Sequence, residues 1–242
     1  MKEGIVACPI HGDNETTPNC PDCRPCKERK NVSRDISWLD RDIKRWKEIG
    51  TLIPKDQIKI YEKIRDLSCG LTVVDVGCSV GIGSNILSQQ ARHVWGVDIN
   101  EECVRFARDM FARPNLGFEL FDIENPSSRE YSKFDLVVMS EVIEHLENPE
   151  KALQIIKTFF HDKTVGYINT PNKNNPKLIA DEPYNELHIR EYTAGEFYGL
   201  LTKHFAHVVL YSVPKLNTWD NSETIDDNSE DTPIIAKVER PI

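Results

Sequence analysis

An apolar β-branched run, Val73-Val74-Asp75-Val76, ends in Gly77-Cys78-Ser79-Val80-Gly81-Ile82-Gly83, and an amphipathic stretch opens at Ser84-Asn85-Ile86-Leu87. Locally this reads as a strand, a tight turn and the start of a helix. Glycines let a backbone take positive φ and let a ligand approach with no Cβ in the way. A helix N-terminus offers unpaired N–H groups and partial positive charge, which suit a carboxylate or a phosphate. The spacing is Gly-x3-Gly-x-Gly, with the acid Asp75 two residues before the first glycine. The dinucleotide fingerprint is Gly-x-Gly-x-x-Gly, so the spacing argues against a nicotinamide dehydrogenase.

A lone strand–turn–helix unit has no core, and the rest of the chain supplies one. Strands are predicted at 71–76, 93–98, 117–121, 134–139 and 164–169, with helices near 82–91, 101–112 and 149–160 between them. This alternation argues for a parallel sheet covered on both faces. A helix at 195–204 follows, then strands at 206–213 and 233–239 with no helix-length apolar pattern between them. Residues 214–232 read as a long, mobile acidic hairpin loop. Upstream, 35–66 reads as helices, with Trp38, Trp46 and Tyr61 expected to face the core. The expectation is an α/β fold with a doubly wound, seven-stranded Rossmann-like sheet over 32–242, and a separate cysteine-rich module at 1–31.

The net charge of −9 argues against broad nonspecific nucleic-acid binding. There is no apolar run of 18 residues, and the polar N-terminus does not resemble a signal peptide, so a cytoplasmic protein without a membrane span is expected.

Asp98 ends the second predicted strand, where an acid can accept hydrogen bonds from both ribose hydroxyls of a bound nucleoside. Asp122, in Leu120-Phe121-Asp122-Ile123, ends the third. Each acid alone could equally be a helix cap or a solvated strand end. Together with the glycine turn, they resemble the class I S-adenosylmethionine (SAM) methyltransferases, whose first motif is usually Asp-x-Gly-x-Gly-x-Gly; Ser79 stands here where glycine is more common. The resemblance implies a SAM site of Asp75, Gly77, Ser79, Gly81, Asp98, Ile99, Asp122, Ile123 and Ser140. In it Asp122 would hold the adenine amino group and Ile123 would pack on the ring.

The fourth strand runs into Ser140-Glu141-Val142-Ile143-Glu144-His145. A helical turn over 141–146 would put Glu141, Glu144 and His145 on one face. His188 follows later, after Asn169-Thr170-Pro171-Asn172. The pattern resembles the small-RNA 3′-terminal 2′-O-methyltransferases, where two Glu and two His hold a divalent ion against vicinal hydroxyls. It also resembles the ubiquinone-pathway O-methyltransferases, which act on catechols. The resemblance implies a catalytic divalent cation at Glu141, Glu144, His145 and His188. The metal-free reading stays open beside it, with His145 as general base and Glu144 supporting it, because an imidazole titrates near working pH.

Of seven cysteines, four lie in the first 26 residues. Cys8-x2-His11 and Cys20-x2-Cys23 have the paired spacing of a tetrahedral zinc knuckle, with Cys26 as an alternate fourth ligand. Basic residues just beyond it could grip a nucleic acid or a protein, or the knuckle could be a structural cap.

The reading is a SAM-dependent methyltransferase that methylates a hydroxyl, one of a vicinal pair, on a small molecule, sugar or nucleotide. The alternatives are an RNA 3′-terminal 2′-O-methyltransferase and a SAM-binding regulatory module without turnover. The acceptor and the oligomeric state are not encoded in any motif.

Overall fold

A computed structural model describes residues 55–126, 131–175, 187–212 and 233–242. The cysteine cluster of 1–31, Trp38, Trp46 and the 214–232 loop lie outside the described residues.

The order of elements is α1 (Lys55–Leu67), β1 (Thr72–Val76), α2 (Ile82–Leu87), β2 (His93–Asp98), α3 (Glu101–Met110), β3 (Leu116–Leu120) and β4 (Phe134–Ser140). A short 3-10 turn (Ile143–His145) follows, then α4 (Pro149–Thr158), β5 (Phe160–Thr170), α5 (Ala194–Leu201), β6 (Phe205–Ser212) and β7 (Ile234–Pro241). The seven strands form one sheet in the order β3-β2-β1-β4-β5-β7-β6. The first five run parallel, and β7 lies antiparallel between β5 and β6. This is the Rossmann-like sheet that the strand–helix rhythm predicts, with the predicted antiparallel closure.

Alternate residues of the central strands serve opposite faces. Val74, Val76, Val97, Val137, Met139 and Ile168 join the cluster packed under α4 and α5. Val73, Val94, Leu136, Val138 and Tyr167 join Ile60, Tyr61 and Ile64 of α1. Both faces are therefore buried, which is why these strands read as continuous apolar runs. Asp75 shares the parity of Val73, so its carboxyl points into the α1 face, where it is fully buried. Tyr61 faces the core as expected, 4% exposed.

Some boundaries differ from the expected ones. The helix expected to reach residue 91 stops at Leu87, because Ser88 caps it and the chain turns into β2. β5 begins at Phe160 rather than 164: Phe160 already pairs with Phe134, ahead of a register shift in β4. Among the described residues, no helix is long and apolar enough to cross a membrane.

Candidate active site

Strand register places the candidate residues in one row. Asp98 pairs with Leu120, Val97 with Val76, Val76 with Met139 and Ser140 with Asn169. Asp98, Gly77, Ser140 and Asn169 thus lie side by side across β2, β1, β4 and β5, at the C-terminal edge of the parallel strands. With roughly 4.8 Å between strands, Asp98 stands about 10 Å from Ser140. Ligands of open α/β sheets bind along this edge.

The glycine turn is braced from within. The amides of Gly77 and Cys78 both donate to the Val97 carbonyl, at 2.7 and 3.0 Å, and Gly81 donates to Cys78 at 2.9 Å. The Ser79 amide donates to Asp98 Oδ2 at 2.8 Å, while Asn100 donates to Asp98 Oδ1 at 2.8 Å. These amides are therefore not the free anion cradle that the sequence suggests. Gly77 sits at φ +73, and a Cβ there would fall 2.3 Å from Val142 Cγ2, so only glycine fits. Gly81 caps α2.

Asp75 does not face the ligand edge. Its oxygens accept the Tyr61 hydroxyl at 3.0 Å and the Ser84 hydroxyl at 2.6 Å. Burial pushes its carboxyl up to about 7, and the two hydroxyls pull it partly back. Asp75 supports the turn from below and is not presented as a contact.

Asp98 is half-buried, and its neighbour Ile99 is 42% exposed. A carboxylate can accept hydrogen bonds from several directions. An acceptor-rich acid beside an exposed aliphatic surface fits a ribose and its attached ring, so the residues present fit the nucleoside part of SAM. Asp122 accepts from the amides of Glu124 and Asn125, at 3.0 and 3.1 Å, which is a strand-end turn. Ile123 is only 7% exposed and belongs to the core with Phe121 and Tyr131. Only its edge is left for a ring, and Ile99 offers the larger free surface.

The chemistry-bearing cluster differs from the one expected. Glu141 takes φ +55, so the helical turn covers only Ile143–His145, and Glu141 does not share a face with Glu144 and His145. Its carboxylate accepts from Asn169 Nδ2 at 2.8 Å and its amide donates to the Asn169 carbonyl at 3.1 Å. Burial raises the Glu141 carboxyl to about 7.

The group that does converge is Glu144, His145 and His188, with one ligand atom of each within 4.8 Å of the others. The Glu144 carbonyl accepts from the amides of Ile189 and Arg190, at 2.9 and 3.1 Å. His145 Nδ1 lies 2.9 Å from the Leu187 carbonyl, and His188 Nδ1 lies 3.1 Å from Glu191 Oε1. Both partners are acceptors, which assigns the proton to Nδ1 in each ring and makes Nε2 the lone-pair nitrogen. Burial, and then the nearby His145, hold His188 down at about 4.

Glu144 is fully buried. Its Oε2 accepts from Thr170 at 3.1 Å, while Oε1 has no partner among the described residues. Burial, reinforced by Glu141, raises its carboxyl well above the usual range. A buried oxygen left without a partner is costly. Two imidazoles anchored through Nδ1 resemble the way metal-binding histidines are oriented. The donor set, one carboxylate and two imidazole nitrogens, fits a first-row divalent ion better than magnesium.

Sequence reading missed Asn169 and Thr170 as partners of the two glutamates, although both stand in the Asn-Thr-Pro-Asn run that ends β5. It also missed Tyr61, which carries no motif.

Comparison with known proteins agrees with this fold. Residues 41–219 match the family model described as a methyltransferase domain. A probable S-adenosylmethionine-dependent methyltransferase of Mycolicibacterium smegmatis is 28% identical over 59% of this chain and 54% of its own length. The ubiquinone biosynthesis O-methyltransferase of Aeromonas salmonicida is 28% identical over 58% of this chain and 62% of its own. The chain thus spans little more than half the length of these relatives. Among solved structures, the plantazolicin methyltransferase BpumL, in complex with a triazolic desmethylPZN analog and SAH (S-adenosylhomocysteine), superimposes with TM-score 0.63 at 16% identity, covering 85% of this chain and 94% of that one. A putative methyltransferase in complex with the Haloferax volcanii Trm112 activator gives 0.61 at 18% identity, covering 84% of this chain and 94% of that one. At these identities the structural likeness is one of fold. The family match covers most of the sequence, and the chain belongs to the methyltransferase-domain family.

Proposed function

We propose that this protein transfers the methyl group of SAM to a hydroxyl oxygen, one of a vicinal pair on a small molecule, sugar or nucleotide. The observation that carries the reading is the Glu144–His145–His188 cluster, which stands beyond β4 on the strand edge that also holds Asp98. SAM supplies the electrophilic methyl: the S–CH3 bond breaks, the O–CH3 bond forms, and the bonding pair stays on sulfur to give neutral SAH. The hydroxyl proton goes to His145 Nε2, the lone-pair nitrogen of a ring whose Nδ1 is held by Leu187. Asp98 and the exposed Ile99 would orient the nucleoside. In the metal-bound alternative Glu144, His145 and His188 would hold a divalent cation, His145 through that same Nε2 in place of its role as base; when bound the cation lowers the pKa of a vicinal hydroxyl by Lewis acidity, and the proton leaves to solvent. A structural zinc at Cys8, His11, Cys20 and Cys23 belongs to the same proposal.

The test combines elemental analysis of chelator-free protein with methyl transfer from labelled SAM to catechols, sugar diols and RNA 3′ ends. The expected result is two ions per chain in the wild type and one in Glu144→Gln, with His145→Ala losing about 10²-fold or more in kcat. A wild type with zinc alone removes the cation and leaves His145 as the base. Transfer to nitrogen acceptors only, or full activity in His145→Ala, refutes the proposal. Preference for RNA ends with steep salt dependence would select the RNA-terminal reading.

A further inference from the structure

Asp75 is the one charged residue of β1, and both of its hydroxyl donors come from helices. Ser84 belongs to α2, which follows the glycine turn, and Tyr61 to α1, fourteen residues upstream of Asp75. The Tyr61 ring fills the space where Gly83 would carry a Cβ, which would lie 2.2 Å from Tyr61 Cζ. Tyr61 is thus wedged against the turn as well as bonded beneath it. The same helix reaches the other half of the row: Gln57 Nε2 donates to Ser140 Oγ at 3.3 Å. The buried chain Tyr61–Asp75–Ser84 therefore ties α1 to the underside of the turn that Asp98 braces from above, and the Gln57–Ser140 bond ties the same helix to the end of β4.

We infer that Tyr61 is a positioning residue for the cofactor: its hydroxyl holds Asp75, and through Asp75 and Ser84 the glycine turn, in the arrangement that receives SAM. The inference rests on the cofactor reading above. Hydrogen bonds in a buried network depend on one another, so losing one member loosens the rest. The phenol is buried against Asp75 and acts through the turn.

The test is SAH binding by calorimetry, with thermal melting, on the full chain. Tyr61→Phe keeps the ring wedge and removes only the hydroxyl. Ile64→Val, at a fully buried apolar position on the same helix, is the control for simple loss of packing. The expected result is a Kd for SAH raised about fivefold or more in Tyr61→Phe, and changed by less than about twofold in Ile64→Val at a comparable loss of Tm. Ser84→Ala, which removes the opposite donor, should weaken SAH in the same way and serves if Tyr61→Phe does not fold. Equal Kd values for the hydroxyl-deleted variants and the wild type overturn the inference, as does equal weakening in the Ile64→Val control. Folded wild type that binds no SAH overturns the cofactor reading itself.

Discussion

Replacing Asp98 by asparagine changes one atom type and tests the cofactor half of the site. The Asp98 carboxylate uses both oxygens, accepting the Ser79 amide on one and the Asn100 amide on the other, each at 2.8 Å. A carboxamide has a single oxygen, so in Asp98→Asn the NH2 must face one of these N–H groups and that bond is lost. A hydrogen bond to a charged group contributes about 1.5–3 kcal/mol. Because Asp98 is partly exposed, solvent screening reduces this to about 1–2 kcal/mol. For a domain of this size, 1 kcal/mol corresponds to about 2–4 °C in Tm, so a fall of about 2–8 °C is expected. The loss in binding should be larger: a bound ribose would lose a charged acceptor for its hydroxyls, which weakens SAH by roughly 10- to 100-fold. Calorimetric titration with SAH, alongside thermal melting, reads both quantities. If Asp98→Asn melts several degrees lower but binds SAH within about twofold of the wild type, Asp98 only braces the turn, and the ribose assignment is wrong.

Two glycines on helices should respond to alanine with opposite signs. Gly83→Ala gains about 1 kcal/mol in helix propensity. It drives a methyl into the Tyr61 ring, which is held by its bond to Asp75; overpacking costs about 1–3 kcal/mol, so a net loss in urea unfolding is expected. Gly199→Ala in α5, where a Cβ would meet nothing within 4 Å, should stabilise by up to about 1 kcal/mol; the same sign for both would contradict the packing account. His204 is 6% exposed, and neither of its ring nitrogens has a partner among the described residues. Burial, and then the charge of Lys157, hold its pKa below the usual range. A depressed histidine contributes stability that is present above the unfolded pKa, about 6.5, and is lost as pH falls through the folded value. His204→Leu should therefore lose less Tm than the wild type between pH 8 and pH 5, and parallel melting curves would refute this.

The row of candidate residues follows from local pattern. Val73, Val94, Leu116 and Leu136 begin apolar stretches bounded by polar turns, and in a parallel sheet those stretches are strands with their ligand edge at the C-terminal ends. Asp98, Ser140 and Asn169 could therefore be placed on that edge without coordinates. The interior of the site was less legible. Glu141 has a residue type that rarely takes positive φ, so a helical turn was the natural expectation; its bonds to Asn169, 28 residues away, hold the observed conformation. Glu144 and His145 are adjacent in sequence, but what turns the cluster into a site is Leu187–Arg190, brought in from more than forty residues downstream by two backbone hydrogen bonds and one from the His145 ring. Asp75 was read as a cofactor contact from its place in a motif. Its strand parity, fixed by which face α1 covers, turns it inward to Tyr61.

By itself the sequence determined the class of fold, the edge on which ligands bind and the residue types available there, because hydrophobic period and glycine spacing are local properties of the chain. Only the tertiary structure decided which of those side chains meet. Burial, tautomer and hydrogen-bond partner depend on elements distant in sequence, and those contacts separate the Glu144–His145–His188 cluster from Glu141 and place Tyr61 beneath the turn.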